Sequence, residues 1–193
     1  MREPETTRLA RALHYAAGHH SGQRRKDADA SPYINHPIGL LHTLAHEAGI
    51  SDSTVLLAAV LHDIVEDCAP DDAGRDLRVA EIRAQFGEDV LAVVLEVTDD
   101  KSLAKEARKQ AQIAKGARLS HAAKLVKLAD KINNLRDIAN NPPAHWDLAR
   151  RQAYFDWARS VVDAMGPIRH QALDALFAKA LLGRPSSLEA DAA

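Results

Sequence analysis

The chain has 193 residues and a formal charge of −2, so it is long enough for one domain with a real core and lacks the basic excess that draws proteins to nucleic acid or anionic membranes. Ala and Leu dominate, aromatics make up 4%, and helix-compatible residues fill most windows, which favours an all-α fold over any sheet. The single cysteine, Cys68, rules out an internal disulfide and fits a reducing, cytoplasmic setting.

In chain order, a first helix is expected over Glu5 to His20, with Leu9, Ala12, Leu13 and Ala16 on one stripe. The polar start Met1 to Arg8 has no apolar signal core, and the longest apolar run is about a third of the ~20 residues that span a bilayer. Arg24-Arg25-Lys26-Asp27 and a loop through Pro32 and Pro37 follow, with His36 at the cap of a second helix, Pro37 to Ala48. Ser51 or Ser53 is expected to cap a third helix. Pro70 to Asp76 reads as an acidic surface loop, and helices near Val79 to Phe86 and Glu88 to Glu96 are divided by Gly87. Thr98 to Lys101 forms a polar turn, and a charged helix covers Leu103 to Lys115. Helices over His121 to Ala139, Ala144 to Met165 and Pro167 to Leu182 complete one domain, residues 5–182, and residues 183–193 read as a frayed tail.

The third helix holds the stretch around which the chain is organised. Val55 to Leu61 is continuously apolar, and His62-Asp63-Ile64-Val65-Glu66-Asp67 follows at once. On a continuous helix Glu66 lies four residues from His62 and Asp67 four from Asp63, which crowds an imidazole and three carboxylates onto one side. Carboxylates beside an apolar run need pairing, protonation or a cation, although a helix end reaching solvent would also accommodate them.

Five ordered words shift that balance: Arg24 to Asp27, Tyr33-Ile34-Asn35-His36-Pro37, His62 to Asp67, Thr98-Asp99-Asp100-Lys101, and Lys127-Leu128-Ala129-Asp130-Lys131. Together with Gln152 to Ala158 they resemble the HD superfamily of metal-dependent phosphohydrolases. Within it they look like the hydrolase domain of the RelA/SpoT alarmone enzymes and its stand-alone small relatives. The resemblance covers about Leu9 to Leu182 and implies an HD-domain bundle of roughly eight to ten helices. The chain leaves no room for a synthetase domain, so a hydrolase alone is implied.

Carried over residue by residue, the resemblance implies that His36, His62, Asp63 and Asp130 hold one Mn²⁺ and that Glu66 and Asp67 handle water. A mixed nitrogen and oxygen set suits an ion of intermediate hardness, Zn²⁺ and Fe²⁺ included. The implied reaction hydrolyses the 3′-diphosphate of ppGpp or pppGpp, a small-molecule partner, to GDP or GTP and pyrophosphate. Arg25 and Lys26, with Arg24 beside them, match positions against guanine and phosphates. Asn134 and Asp137 match ribose and base-side positions, and Lys101, Arg150 and Tyr154 match the pocket mouth.

The family often has Thr where this chain has Ile64 and Cys68, and the segment Pro70 to Leu77 is longer here. His42 and His46 have zinc-pair spacing but no completing ligands nearby, and Cys68 has no base arrangement that marks a nucleophile. Two other functions fit the same residues: a phosphatase acting on NADPH, and a silent nucleotide sensor.

Overall fold

The computed structural model describes residues 3–186, and their regular structure is helical. Ten α-helical segments run in order: α1 Glu5–His19, α2 Asn35–His42, α3 Ser53–Leu61, α4 Ile64–Asp67, α5 Asp72–Phe86, α6 Glu88–Val97, α7 Lys105–Lys115, α8 His121–Asn140, α9 Leu148–Met165 and α10 Gln171–Leu181. None is long and apolar enough to cross a membrane.

Helix α3 is the pivot because its sequence is apolar on every side. Val55 and Leu57 to Leu61 are at most 1% exposed, and such a helix is stable only with neighbours all round. It packs against α1, α2, α6 and α8. At about 1.5–3 kcal/mol for each large side chain buried, this one helix anchors the core. Its cap is Asp52, not Ser51 or Ser53. Asp52 takes an extended backbone, from which its carboxylate accepts from the amides of Thr54 at 2.8 Å and Val55 at 3.4 Å.

Other boundaries depart from the sequence reading too, α9 starting at Leu148 where Ala144 was expected. From Asp72 on, the acidic run Pro70 to Asp76 is no loop but the start of α5: Asp71 caps it by accepting from the Gly74 amide at 2.7 Å, and Asp72 sits in the first turn, where the helix dipole favours negative charge. Helix α2 begins at Asn35, so His36 lies inside its first turn, and from Thr43 to Glu47 the winding widens to a π-turn. Arg136 of α8 grips that wider turn, donating to Glu47 at 2.6 and 2.9 Å and to Thr43 Oγ1 at 3.3 Å. Helix α10 starts at Gln171, with His170 as its cap.

The tail does not begin at Gly183. Arg184 forks onto Asp156 of α9 at 3.1 and 3.0 Å, and Gln152 donates to the carbonyl of the buried Pro185 at 2.9 Å. The rest of the expected tail, residues 187–193, lies outside the described residues.

Candidate metal centre and active site

The six residues His62 to Asp67 do not continue α3. The helix stops at Leu61, His62 and Asp63 form a turn, and Ile64–Asp67 winds as the separate short α4. Tyr33, from the loop before α2, donates to Asp63 Oδ2 at 2.5 Å and reaches Asp67 Oδ2 at 3.4 Å, holding two acids of this turn from outside. Ile64 and Val65 stay buried in the core, which pins α4 from below.

His36 arrives from α2 and Asp130 from α8. Helices α2 and α8 lie close where they cross: a Cβ on Gly39 would stand 2.8 Å from Asn133 Oδ1, so a larger residue there would have to displace the Asn133 side chain. His36 Nε2 then sits 3.2 Å from Asp130 Oδ1. His36, His62 and Asp130 are all buried, and each offers a ligand atom within 4.8 Å of the others. Asp63, the fourth expected ligand, lies against them with Oδ2 2.8 Å from His62 Nε2.

His62 shows why this set fits a cation. Its Nδ1 lies 2.9 Å from the Ala59 carbonyl, which only accepts, so Nδ1 carries the proton and Nε2 the lone pair. That Nε2 is buried with no hydrogen-bond partner; Asp63 is close, but outside the direction a ring N–H takes. A lone-pair nitrogen fixed by a backbone carbonyl and facing carboxylates is the arrangement of a metal-bound histidine.

Electrostatics agree. Burial alone would raise the carboxyls of Asp63 and Asp130, yet His62 beside the first and Lys131 beside the second hold both well below the usual carboxylate range. Burial would likewise lower His62, but Asp63 pushes it up to about 9, so without an ion a second proton occupies Nε2, and an ion that displaces it finds the lone pair there. Two buried carboxylates kept ionised call for a positive partner, and a divalent ion meets that demand better than a proton.

Glu66 sits at the edge of this cluster, accepting from the Asp99 amide at 2.9 Å. Burial, then the charges of Asp99 and Asp63, push it up to about 7. Asp67 pairs with Lys101. Both acids line a small chamber of about 190 Å³ together with the four histidines and aspartates, Arg25, Asn134 and Tyr154.

A larger cavity of about 830 Å³ shares Arg25, Tyr33, His36, Asp67, Asn134 and Tyr154 with that chamber and adds Arg24, Lys26 and Asp137. Arg25 donates to Asp137 at 2.5 Å and to Asn134 at 3.2 Å, and Asn134 donates to Asp130 Oδ1 at 2.6 Å, a chain that links the wide cavity to the metal cluster. Lys101 and Arg150 line neither space. Lys101 reaches in through Asp67, while Arg150 stacks on the Trp146 ring at 4.5 Å.

Several residues at the site carried no individual assignment from sequence. Tyr33 and Lys131 stand inside the words that contain His36 and Asp130, and Asp99 stands in the word that contains Lys101. Lys131 donates to Asp130 Oδ2 at 3.1 Å with its ammonium 4.2 Å from the Trp157 ring. Neighbourhood in a motif was the available signal. Cys68 packs against the core half-buried with His20 Nδ1 3.4 Å from its sulfur, and burial, then Asp67, push its thiol up to about 12.

Comparison with known proteins accords with this geometry. The HD domain family matches residues 12–154. Guanosine-3′,5′-bis(diphosphate) 3′-pyrophosphohydrolase MESH1 of Homo sapiens is 46% identical over 172 residues, 89% of this chain and 92% of that protein. The protein of the same name from Drosophila melanogaster is 48% identical over 158 residues, 82% of this chain and 84% of its own. A solved structure of a metazoan orthologue of SpoT, described as hydrolysing ppGpp and acting in starvation responses, matches with a TM-score of 0.85 at 42% identity, over 95% of this chain and 98% of that one. With its all-helical fold and its buried histidine and aspartate cluster, the chain belongs to the HD domain family.

Proposed function

We propose that this chain is a Mn²⁺-dependent hydrolase that removes the 3′-diphosphate of ppGpp or pppGpp, releasing GDP or GTP and pyrophosphate. One observation carries the reading. A buried cluster built for a cation, with two acids at its edge, opens onto a cation-lined cavity of about 830 Å³, within the size range of pockets that bury a small-molecule ligand.

His36, His62, Asp63 and Asp130 hold the ion, and their mixed nitrogen and oxygen donors suit Mn²⁺. When bound, the ion supplies Lewis-acid polarisation of a phosphoryl oxygen and acidifies water. Glu66 takes or holds the water proton, since a carboxyl poised near 7 exchanges protons readily at neutral pH. Asp67 orients the water from the other side, its own carboxylate steadied by Tyr33 and Lys101. Arg24, Arg25 and Lys26 meet phosphate charge. Asn134 and Asp137 receive the ribose and base side, and Tyr154 closes the cavity between the two spaces. The reading carries a cytoplasmic setting with it, in keeping with the free thiol of Cys68.

Product analysis tests it. Metal-stripped protein is given Mn²⁺ and offered ppGpp and NADPH in parallel, with products resolved by ion exchange. GDP and pyrophosphate formed only with metal are expected. Orthophosphate and NADH alone would make the protein a phosphatase, and silence on both substrates would make it a sensor.

A further inference from the structure

The turn between α6 and α7 is gripped more tightly than a connection of its length requires. Thr98 and Asp99 are 7% and 8% exposed, and the Asp99 carboxylate is a hub. Gln112 of α7 donates to its Oδ2, Lys115 of the same helix lies 3.3 Å from Oδ1, and Lys127 of α8 lies 3.7 Å from that oxygen. The two lysines also donate to the chain itself, Lys115 to the Thr98 carbonyl at 2.9 Å and Lys127 to the Val97 carbonyl at 3.1 Å. Three side chains from two helices thus hold three consecutive residues.

Burying a carboxylate costs several kcal/mol unless its oxygens are met, and here two donors and the nearby charge of Lys127 meet it. A plain connection needs no such investment: Asp100, next in sequence, stays exposed and closes its own turn by accepting from Ser102. Besides the charge with which it raises Glu66, the buried anchor makes one contact at the site, and Gln112→Leu tests that contact with the charge kept. The anchor aims the Asp99 amide at Glu66 Oε2, 2.9 Å away, and leaves Glu66 Oε1 without a protein hydrogen bond among the described residues. A carboxylate held by one oxygen has a single orientation, which pre-organises the other for the reacting water.

We infer that Asp99 is a positioning residue for Glu66: its buried carboxylate, held by Gln112, Lys115 and Lys127, fixes the backbone N–H that orients Glu66. The inference rests on the role given to Glu66 in the proposed hydrolysis. Asp99→Asn keeps the side chain's size and removes the charge that the lysines meet; Gln112→Leu removes one donor to the same carboxylate from outside the turn. With Mn²⁺ and ppGpp, Asp99→Asn is expected to lower kcat about 10- to 100-fold, as loss of an outer-shell partner does, with KM within about twofold and bound metal at the wild-type ratio. Gln112→Leu should do the same more weakly, and it decides the matter where Asp99→Asn fails to fold. In both variants the amide of residue 99 should exchange its hydrogen faster than in wild type, read by NMR on the metal-free protein.

Unchanged kcat, or a loss of kcat that only follows lost metal or lost folded protein, would overturn the inference, as would unchanged exchange at amide 99. Wild-type protein silent on ppGpp would overturn the functional reading instead, and the exchange of amide 99 would still decide whether Asp99 holds Glu66.

Discussion

Along the wide outer cavity Arg24 and Lys26 are exposed, and Arg25 is tied to Asp137 and Asn134 at the surface of α8. In the inner chamber His36, His62 and Asp130 are at most 9% exposed, and Asp63, Glu66 and His62 are all displaced from their ordinary proton affinities. Under the proposed function, the difference teaches how one cleft would separate binding from chemistry. The exposed Arg24 and Lys26 keep their water, so each can be removed without stranding a buried partner, whereas Arg25 would leave Asp137 and Asn134 without their donor. Inner groups are dehydrated in advance, so removing one leaves a neighbour buried and unmatched.

The comparison is broken most severely from inside. His62→Ala or Asp130→Asn should lose bound metal and turnover together, by about 10³-fold or more in kcat, because several kcal/mol of charge stabilisation leave with the ion. Metal analysis beside a rate assay checks this; full turnover without metal would remove the inner chamber from the chemistry. Next comes Glu66→Gln, expected to keep the metal and lose about 10²- to 10⁴-fold in kcat, the range of a proton-transfer group.

The same variant sharpens the comparison through pH. Glu66 has its folded-state value raised from 4.5 to about 7, so the stability tied to its proton is fully present below pH 4.5 and is lost as pH rises through 7. Metal-free Glu66→Gln lacks that loss. Its Tm should therefore exceed wild type by about 7–14 °C at pH 8, and the gap should close towards pH 4.5. A gap that stays constant over this range would mean that Glu66 is ionised normally.

Outer changes should be milder and of a different kind. Arg25→Ala should raise KM about 10-fold or more with kcat largely kept, as expected when a charge-assisted contact is shared by ground and transition states. Arg150→Ala, at a residue that lines neither space and stacks on Trp146, should change kcat/KM by no more than about threefold. A larger effect would show that the outer face closes on the substrate.

Some of this was legible because it is local. The unbroken run Val55 to Leu61 announced a buried helix, and Gly87, with φ of +99°, marked the junction of α5 and α6 where a side chain would be strained. The acidic start of α5 misled because aspartates suit both loops and first turns, and only the Asp71 cap decides between them. The break after Leu61 left no trace, since the spacing of His62, Asp63, Glu66 and Asp67 reads equally well on one helix. Tyr33, 30 residues earlier, holds Asp63 in the turn.

By itself the sequence determined the helical class, the stripe of α1, the buried run of α3 and the words that hold the candidate ligands and acids, because periodicity and residue type are properties of short windows. Only the tertiary structure decided which of those groups meet. Asp99 finds Lys127, and His36 finds Asp130, through packing across α2, α6, α7 and α8. The reason is physical: desolvation and charge coupling, which push Glu66 up to about 7 and leave His62 Nε2 buried without a hydrogen-bond partner, come into being once distant segments have excluded water together.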